Sequence, residues 1–405
     1  MVSAQGESTG AGPSGPLAGV RVLDLSSVVM GPLATQILGD LGAEVVSIEA
    51  EGGDTNRVMG PGPHRQLSGV ALNLLRNKRN VSLDLKDPAG REVFLRLAAV
   101  SDVVITNLRP GPLGRLRLAY DDVRAVRPDI VFCQAHGWAT GSGRENAPAF
   151  DDVIQAASGI SELEERVTGE RVLAPTLIAD KLCGVTMAYS VMAALFHRER
   201  TGEGQHIEVP MADVTSAFML VEHGAGAIPE PALGPAGYER ILTRERRSQH
   251  TSDGWINVLP FSTAHYEAIW TAGGRTDLAN DPRVGTGSAR IANAESLYRD
   301  VADVLVTRPT AFWLEYCTEH SIPSSAVRTV DDLVAELPIV EHPVVGSYRE
   351  IPSPVRFSRT PASVRRPAPL IGEHGREVLS ELGMSPAEID ALEASGVLRQ
   401  PSGTR

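Results

Sequence analysis

The sequence predicts an α/β fold in which a parallel sheet is covered by helices on both faces. Three observations carry that expectation. Short apolar runs alternate with helical patterns through the first half of the chain, and strands separated by helices at this spacing call for parallel pairing. Hydrophobic residues make up 42% and charged residues 22% of the 405 positions, ordinary globular usage that excludes wholesale disorder. At roughly 150 residues per domain, the length asks for two or three units.

The elements follow in order. VRVLDL at 20–25 is a buried strand, then the turn SSVVMGP opens a helix over 32–41, with Pro32 in its first turn and Gly42 ending it. EVVSI at 44–48 is the next strand. VSLDL at 81–85 precedes a helix opened by Asp87-Pro88, and DVVIT (102–106) and DIVFCQA (129–135) flank a helical stretch over 120–127. That rhythm describes a Rossmann-like large domain, expected over 17–222 after a Gly/Ser/Pro tail at 1–16. An apolar helix over 184–200 surfaces in the cluster HRER, and QHIEV at 205–209 alternates like a half-buried strand. Composition then shifts to glycine, proline and arginine, so 223–335 is expected to hold a linker and a smaller α+β domain. Its strand is WINVLP, with helices near 262–272, 290–306 and 309–320. The last segment, 336–405, with a strand VVGSYREI and helices after Gly372 and Ser385, is expected to pack back on the large domain, although periodicity alone leaves its assignment open.

Charge and cysteine usage narrow the function. Thirty-eight basic against fifty acidic residues give a net charge of −12, which argues against nucleic acid as a partner but leaves room for a local basic pocket. Cys133, Cys183 and Cys317 are far apart and outside any CxxC, so neither a disulfide scaffold nor a thiolate metal site is expected. The central uncharged apolar run, 184–196, is too short to span a bilayer, and the N-terminus lacks the pattern of a secretory signal. The expectation is a cytoplasmic protein without a membrane partner.

The opening strand–helix–strand unit invites a dinucleotide reading, with Glu49 closing the second strand. Its turn carries one glycine where GxGxxG needs three, which argues against NAD. Two basic clusters suggest a phosphorylated ligand instead: Arg76-Asn77-Lys78-Arg79 before one strand, and Asn107-Leu108-Arg109-Pro110-Gly111 after another, with Arg115 a turn later. Asp180, in APTLIADKLCG, stands at the start of the long apolar helix. A plain helix cap and an ionised nucleophile draw on the same physics, and position alone leaves both open.

The segments PLAGVRVLDLSSVVMGPLATQILGDLGAEVVSIE, RNKRNVSLDLKDPAGREV, NLRPGPLGRL, AFDDVIQAASG, IADKLCGVTMAYSVMAALFHRERTGEGQHIEVPMADV and RRPAPLIGEHGREVLSELG run in this order from about residue 16 to 398. Together they resemble the class III CoA-transferases (formyl-CoA transferase and carnitine CoA-transferase-like, CaiB/BaiF type), whose fold α-methylacyl-CoA racemases share. The resemblance implies CoA and acyl-CoA as substrates, a free carboxylic acid as acceptor, no tightly bound cofactor and an interlocked homodimer. It implies Asp180 as the catalytic carboxylate that passes through an anhydride and an aspartyl-CoA thioester. Lys78, Arg79, Asn107 and Arg115 match CoA-contacting positions, and Val28 and Val29 fall in the loop lining the CoA site. His136 follows a strand end, where both an approach to the thioester and a purely structural role stay open. The racemases' histidine is replaced by Phe150, and RERRSQHTS stands where formyl-CoA transferases have a glycine-rich loop. An acyl-CoA racemase of the same fold and a non-catalytic acyl-CoA-binding protein are the alternatives. The roles of His374 and of the arginine-rich stretch 240–247 stay open.

Overall fold

A computed structural model describes residues 15–401, so all but the end of the expected tail lies outside the described residues. The chain divides into two compact units. One holds the chain up to Ser158, Pro175–Ser216 and everything from Leu337; the other holds Gly159–Ala174 and Ala217–Glu336.

The first unit is built on a sheet of seven strands. In chain order they are β1 (Arg21–Leu25), β2 (Glu44–Glu49), β3 (Lys78–Leu83), β4 (Val103–Thr106), β5 (Val131–His136) and β6 (Gln205–Pro210), with Leu398–Arg399 as the seventh. Their spatial order, from the Leu398–Arg399 edge, is β3-β2-β1-β4-β5-β6, all parallel, while Leu398–Arg399 pairs antiparallel with β3. Alternate residues feed opposite cores. Val22, Val103 and Ile105 pack with the helices Met30–Asp40 and Ile178–Thr201 on one face. Leu23 and Val104 pack with Pro88–Ala99, Gly375–Glu381 and Pro386–Ala394 on the other. Near-continuous apolar strands are what burial on both faces demands. The chain runs outward from β1 in both directions, so the order reverses between β1 and β4, and a crevice opens there at the strands' carboxyl ends.

Local chemistry explains the element ends. Asp87 caps Pro88–Ala99 by accepting from the Ala89 N–H at 2.8 Å, with proline in the first turn. Gly42, at φ +108°, turns the chain out of Met30–Asp40 into β2, a conformation open to glycine. The helix Ile178–Thr201 begins six residues earlier than its apolar run suggests. Its N-cap is Leu177, which makes no side-chain cap, so Asp180 is the third residue of the first turn and not the cap. At 24 residues this helix is long and apolar enough to cross a membrane, contrary to the short run read from sequence. Here Cys183, Met187, Val191 and Ala194 on one side of it are buried in the sheet's core.

Further differences are local. β3 begins at Lys78, because Lys78, Arg79 and Asn80 pair with Val45, Val46 and Ser47, so the basic cluster enters the strand instead of preceding it. The strand expected at VVGSYREI is half of a hairpin, Ile339–His342 with Gly346–Arg349. Gly159–Ala174, read from sequence as part of the large domain, goes with the second unit: Arg166 donates to the Ala236 carbonyl at 2.8 Å, and Arg244 to those of Val167 and Thr168 at 2.9 and 2.6 Å.

The second unit has its own core around Ile256, Trp270, Leu297, Val301 and Trp313. Gln249–His250, Trp255–Val258 and Ser324–Ala326 form an antiparallel sheet beside the helices Thr263–Ala272, Ala294–Leu305 and Thr310–Glu319. The single helix expected over 290–306 is two, Gly287–Ala292 and Ala294–Leu305, parted at Asn293.

Candidate active site

A cavity of about 460 Å³ opens at the carboxyl ends of the strands of the first unit, where the strand order reverses. Five segments line it: Ser27, Val28 and Met30 after β1, Thr55 after β2, Asn107 to Arg109 and Pro112 after β4, His136 and Gly137 at the end of β5, and Pro148 to Phe150 before a short helix. Asp180 and Met211 close it.

Asp180 is 7% exposed, and its carboxylate has no hydrogen-bond or ion-pair partner among the described residues. Only its backbone is tied, the N–H donating to Oδ1 of Asp151 at 2.9 Å. Burial, and then the neighbouring Asp151 carboxylate, push Asp180 up to about 6 from the ordinary 3.8. The helix N-terminus acts in the opposite direction by favouring the anion, so the dipole expectation is outweighed by desolvation. A carboxylate in this state is ionised at neutral pH yet poorly solvated, which is what a nucleophile needs. Gly184 fixes where it sits. A Cβ there would lie 2.7 Å from the Met30 carbonyl oxygen, so only glycine lets the Asp180 helix approach Met30–Asp40 this closely.

The turn after β1 is clamped from several sides. Asn107 accepts from the Ser27 N–H at 3.0 Å and donates to the Ser27 carbonyl at 2.7 Å. Val28, on the cavity wall, donates its N–H to Asp54 at 2.8 Å. Val29 is buried and does not line the cavity. His136 is 2% exposed; its Nε2 lies 3.1 Å from Glu208 without the alignment of a hydrogen bond, and burial lowers its pKa, so it is neutral at pH 7. Glu208 is held by the Thr140 N–H and hydroxyl, both at 2.6 Å.

Of the basic residues read from sequence, only the cluster after β4 meets this site. Arg109 lines the cavity, and Arg115 lines an adjoining basin that shares Leu108 and Pro112 with it. Lys86, Arg91 and Arg117 also face that basin, giving it a positive rim. Lys78 and Arg79, expected to contact CoA, do not line this cavity. The ammonium of Lys78 is wholly buried, donating to Asp24 at 3.1 Å and to the Pro32 carbonyl at 3.0 Å. Arg79 pairs with Glu377 at 3.2 Å and Glu381 at 2.6 Å. The reason is topological: this cluster stands at the amino end of a parallel strand, and NLRPG follows the carboxyl end of another. His374 accepts from the Asn80 N–H at 3.3 Å and donates its own N–H to the Asn80 carbonyl, docking the C-terminal segment on β3. Within the second unit, Arg240 donates to the Tyr298 hydroxyl at 3.4 Å and Arg247 pairs with Glu245.

Sequence reasoning assigned no role to Asp151 or Asp54. The second was discoverable by the argument that selected NLRPG, since EGGDTNR follows the carboxyl end of β2.

Against this geometry, comparisons with known proteins agree with one another. The chain matches CoA-transferase family III over residues 17–375. It is 32% identical to the succinyl-CoA:mesaconate CoA-transferase of Haloarcula hispanica, over 91% of this chain and 97% of that one. It is 29% identical to the succinyl-CoA:glutarate CoA-transferase of Mus musculus, over 95% and 91% respectively. Among solved structures it is similar to a CAIB/BAIF family protein from Brucella suis, with a TM-score of 0.76 and 26% identity, over 91% of this chain and all of that one.

Proposed function

The chain belongs to CoA-transferase family III, and from that premise we propose that it moves CoA from an acyl-CoA to a free carboxylic acid with Asp180 as the acylated carboxylate. The observation that carries this reading is the state of Asp180: buried, raised to about 6, unpartnered and facing a cavity large enough for a thioester and its acid.

An Asp180 oxygen attacks the thioester carbonyl, the C–S bond breaks, and CoA leaves as thiolate from a mixed anhydride. The thiolate attacks the aspartyl side of that anhydride, releasing the donor acid and leaving an aspartyl-CoA thioester. The acceptor carboxylate attacks the aspartyl thioester, again expelling the thiolate, which then takes the new acyl group and restores Asp180. No proton need move, so a neutral His136 suits the site as a wall and a hydrogen-bonding group. The pantetheine arm occupies the cavity along Val28 and Asn107, and the phosphates lie over the basin rimmed by Arg115. Met30, Pro148, Ala149, Phe150 and Met211 offer apolar surface to an acyl chain, and Arg109 gives a dicarboxylic acid its second anchor. Two relatives act on such acids by name. Phe150 stands where a two-base racemase would need a second proton carrier, which weighs against that alternative.

The interlocked homodimer implied by the family fits an uncovered apolar face. On Ile178–Thr201, Val185, Tyr189 and Phe196 share one side of the helix and are 50%, 57% and 64% exposed. The functional test is a panel of acyl-CoA donors against mono- and dicarboxylic acids, read by mass spectrometry. We expect a new acyl-CoA with at least one dicarboxylic acceptor and none from Asp180→Ala. Product formation by Asp180→Ala at the unaltered rate would refute the assignment.

A further inference from the structure

The turn that forms one wall of the cavity is held in a conformation its own residue opposes. Val28 has φ +70°, a left-handed backbone in which a β-branched side chain crowds the adjacent peptide groups. Such a residue persists only where its surroundings overrule it. Both peptide groups of Val28 are taken. Its N–H donates to Oδ1 of Asp54 at 2.8 Å, and its carbonyl accepts from the Asn56 side-chain amide at 3.1 Å. The same Asp54 carboxylate accepts the Asn56 N–H at 3.2 Å and the Asn56 amide at 2.6 Å, so one group fixes both ends. Behind it, the Asp54 N–H donates to Glu49 at 2.8 Å. Glu49 is paired with buried Arg57 at 2.7 Å, and Arg57 also donates to the carbonyls of Gln66 and Pro369. Asp54 is 8% exposed and is not itself among the residues lining the cavity.

We propose that Asp54 is a positioning residue of this site, whose carboxylate latches the Val28 peptide in the left-handed form and thereby sets the affinity for CoA. The inference rests on the reading of the cavity as the CoA site. Burial holds the Asp54 carboxyl up at about 6. The N–H bonds from Val28 and Asn56 oppose that, Glu49 on β2 adds to it, and Lys78 on β3 opposes it. As pH falls through about 6 the carboxyl gains a proton and loses an acceptor site, so the latch loosens and CoA binding weakens.

The test is calorimetric titration of the full chain with free CoA, alongside steady-state kinetics. Asp54→Ala is expected to weaken CoA binding and raise KM for acyl-CoA about tenfold, with kcat within about twofold. In a Val28→Gly background the same substitution should cost less than about threefold, because glycine adopts this φ unaided. Where Asp54→Ala does not fold, Asp54→Asn carries the test. It keeps the shape and one acceptor oxygen, so it should bind more weakly than the unaltered chain. Read in the Asp180→Ala background, which removes the other carboxyl titrating near 6, it should also lack the pH step. Unchanged CoA affinity in either Asp54 variant, an equal penalty with glycine at 28, or a fall in kcat at constant KM would overturn the proposal. Failure of the unaltered chain to bind CoA would overturn the functional reading and the latch with it.

Discussion

Asp180 and Lys78 are both charged groups taken out of water, and they differ in what surrounds them. Lys78 is answered by Asp24, the Pro32 carbonyl and, through Asp24, the Thr35 hydroxyl at 2.6 Å. Asp180 is left unanswered, a costly arrangement for a residue that only supports the fold. Opposite outcomes follow. Lys78→Met should destabilise the protein by about 3–5 kcal/mol, because it strands a buried aspartate, and denaturant unfolding would read this. Asp180→Asn should abolish transfer yet stabilise the fold at pH 8. A carboxyl raised to about 6 favours folding below its unfolded pKa near 3.8, and that contribution is lost as pH rises through 6. The gain should be on the order of 2 kcal/mol at pH 8 and absent at pH 4, measured as a shift in Tm. The rate of the unaltered enzyme should fall as pH drops through about 6, since the nucleophile is then protonated. Asp180 and Asn107 were legible as sequence because each abuts a strand or helix end. Lys78 was not, since a basic run looks the same whether it solvates a surface or neutralises a core aspartate.

At the scale of elements, the site is an outcome of strand ends and helix starts meeting at one edge. The periodicity that marked β1, β2, β4 and β5 also located that edge, because parallel strands put all their carboxyl ends on one side. It missed the true start of Ile178–Thr201, whose first turn, Ile178 to Lys181, puts two charged residues where an apolar period is sought. The helix forms there because Asp151 receives the Asp180 N–H, a contact across 29 residues that no local pattern contains. Gly184 belongs to this scale. Gly184→Val would force the Asp180 helix away from the Met30 carbonyl, and should lower kcat at least about tenfold with a loss of a few kcal/mol in stability, seen together in kinetics and thermal unfolding.

For the molecule as a whole, the break in composition after residue 222 falls a few residues beyond Ala217, where the chain enters the second unit, and Gly159–Ala174 was read into the large domain because its partners, Ala236 and Arg244, lie some 70 residues away. The C-terminal segment is integrated at many positions: Leu398–Arg399 pairs with β3, Arg365 donates to the carbonyls of Gly39, Gly42 and Ala43, and Val378, Leu379, Ile389 and Leu392 fill the core on one face of the sheet. The exposed apolar side of Ile178–Thr201 belongs to this scale too. Light scattering should give twice the 43.2 kDa chain mass, and charge at Phe196, as in Phe196→Glu, should shift the protein toward monomer. A monomeric mass for the unaltered protein would remove the dimer from the account.

The most direct measurement is trapping of the acylated carboxylate. The protein is mixed with an acyl-CoA that it turns over, without any acceptor, then quenched with hydroxylamine, digested and read by mass spectrometry. A hydroxamate on Asp180, formed only when the thioester is present, is the predicted result. An unmodified Asp180 peptide under conditions of continuing transfer would contradict the central claim.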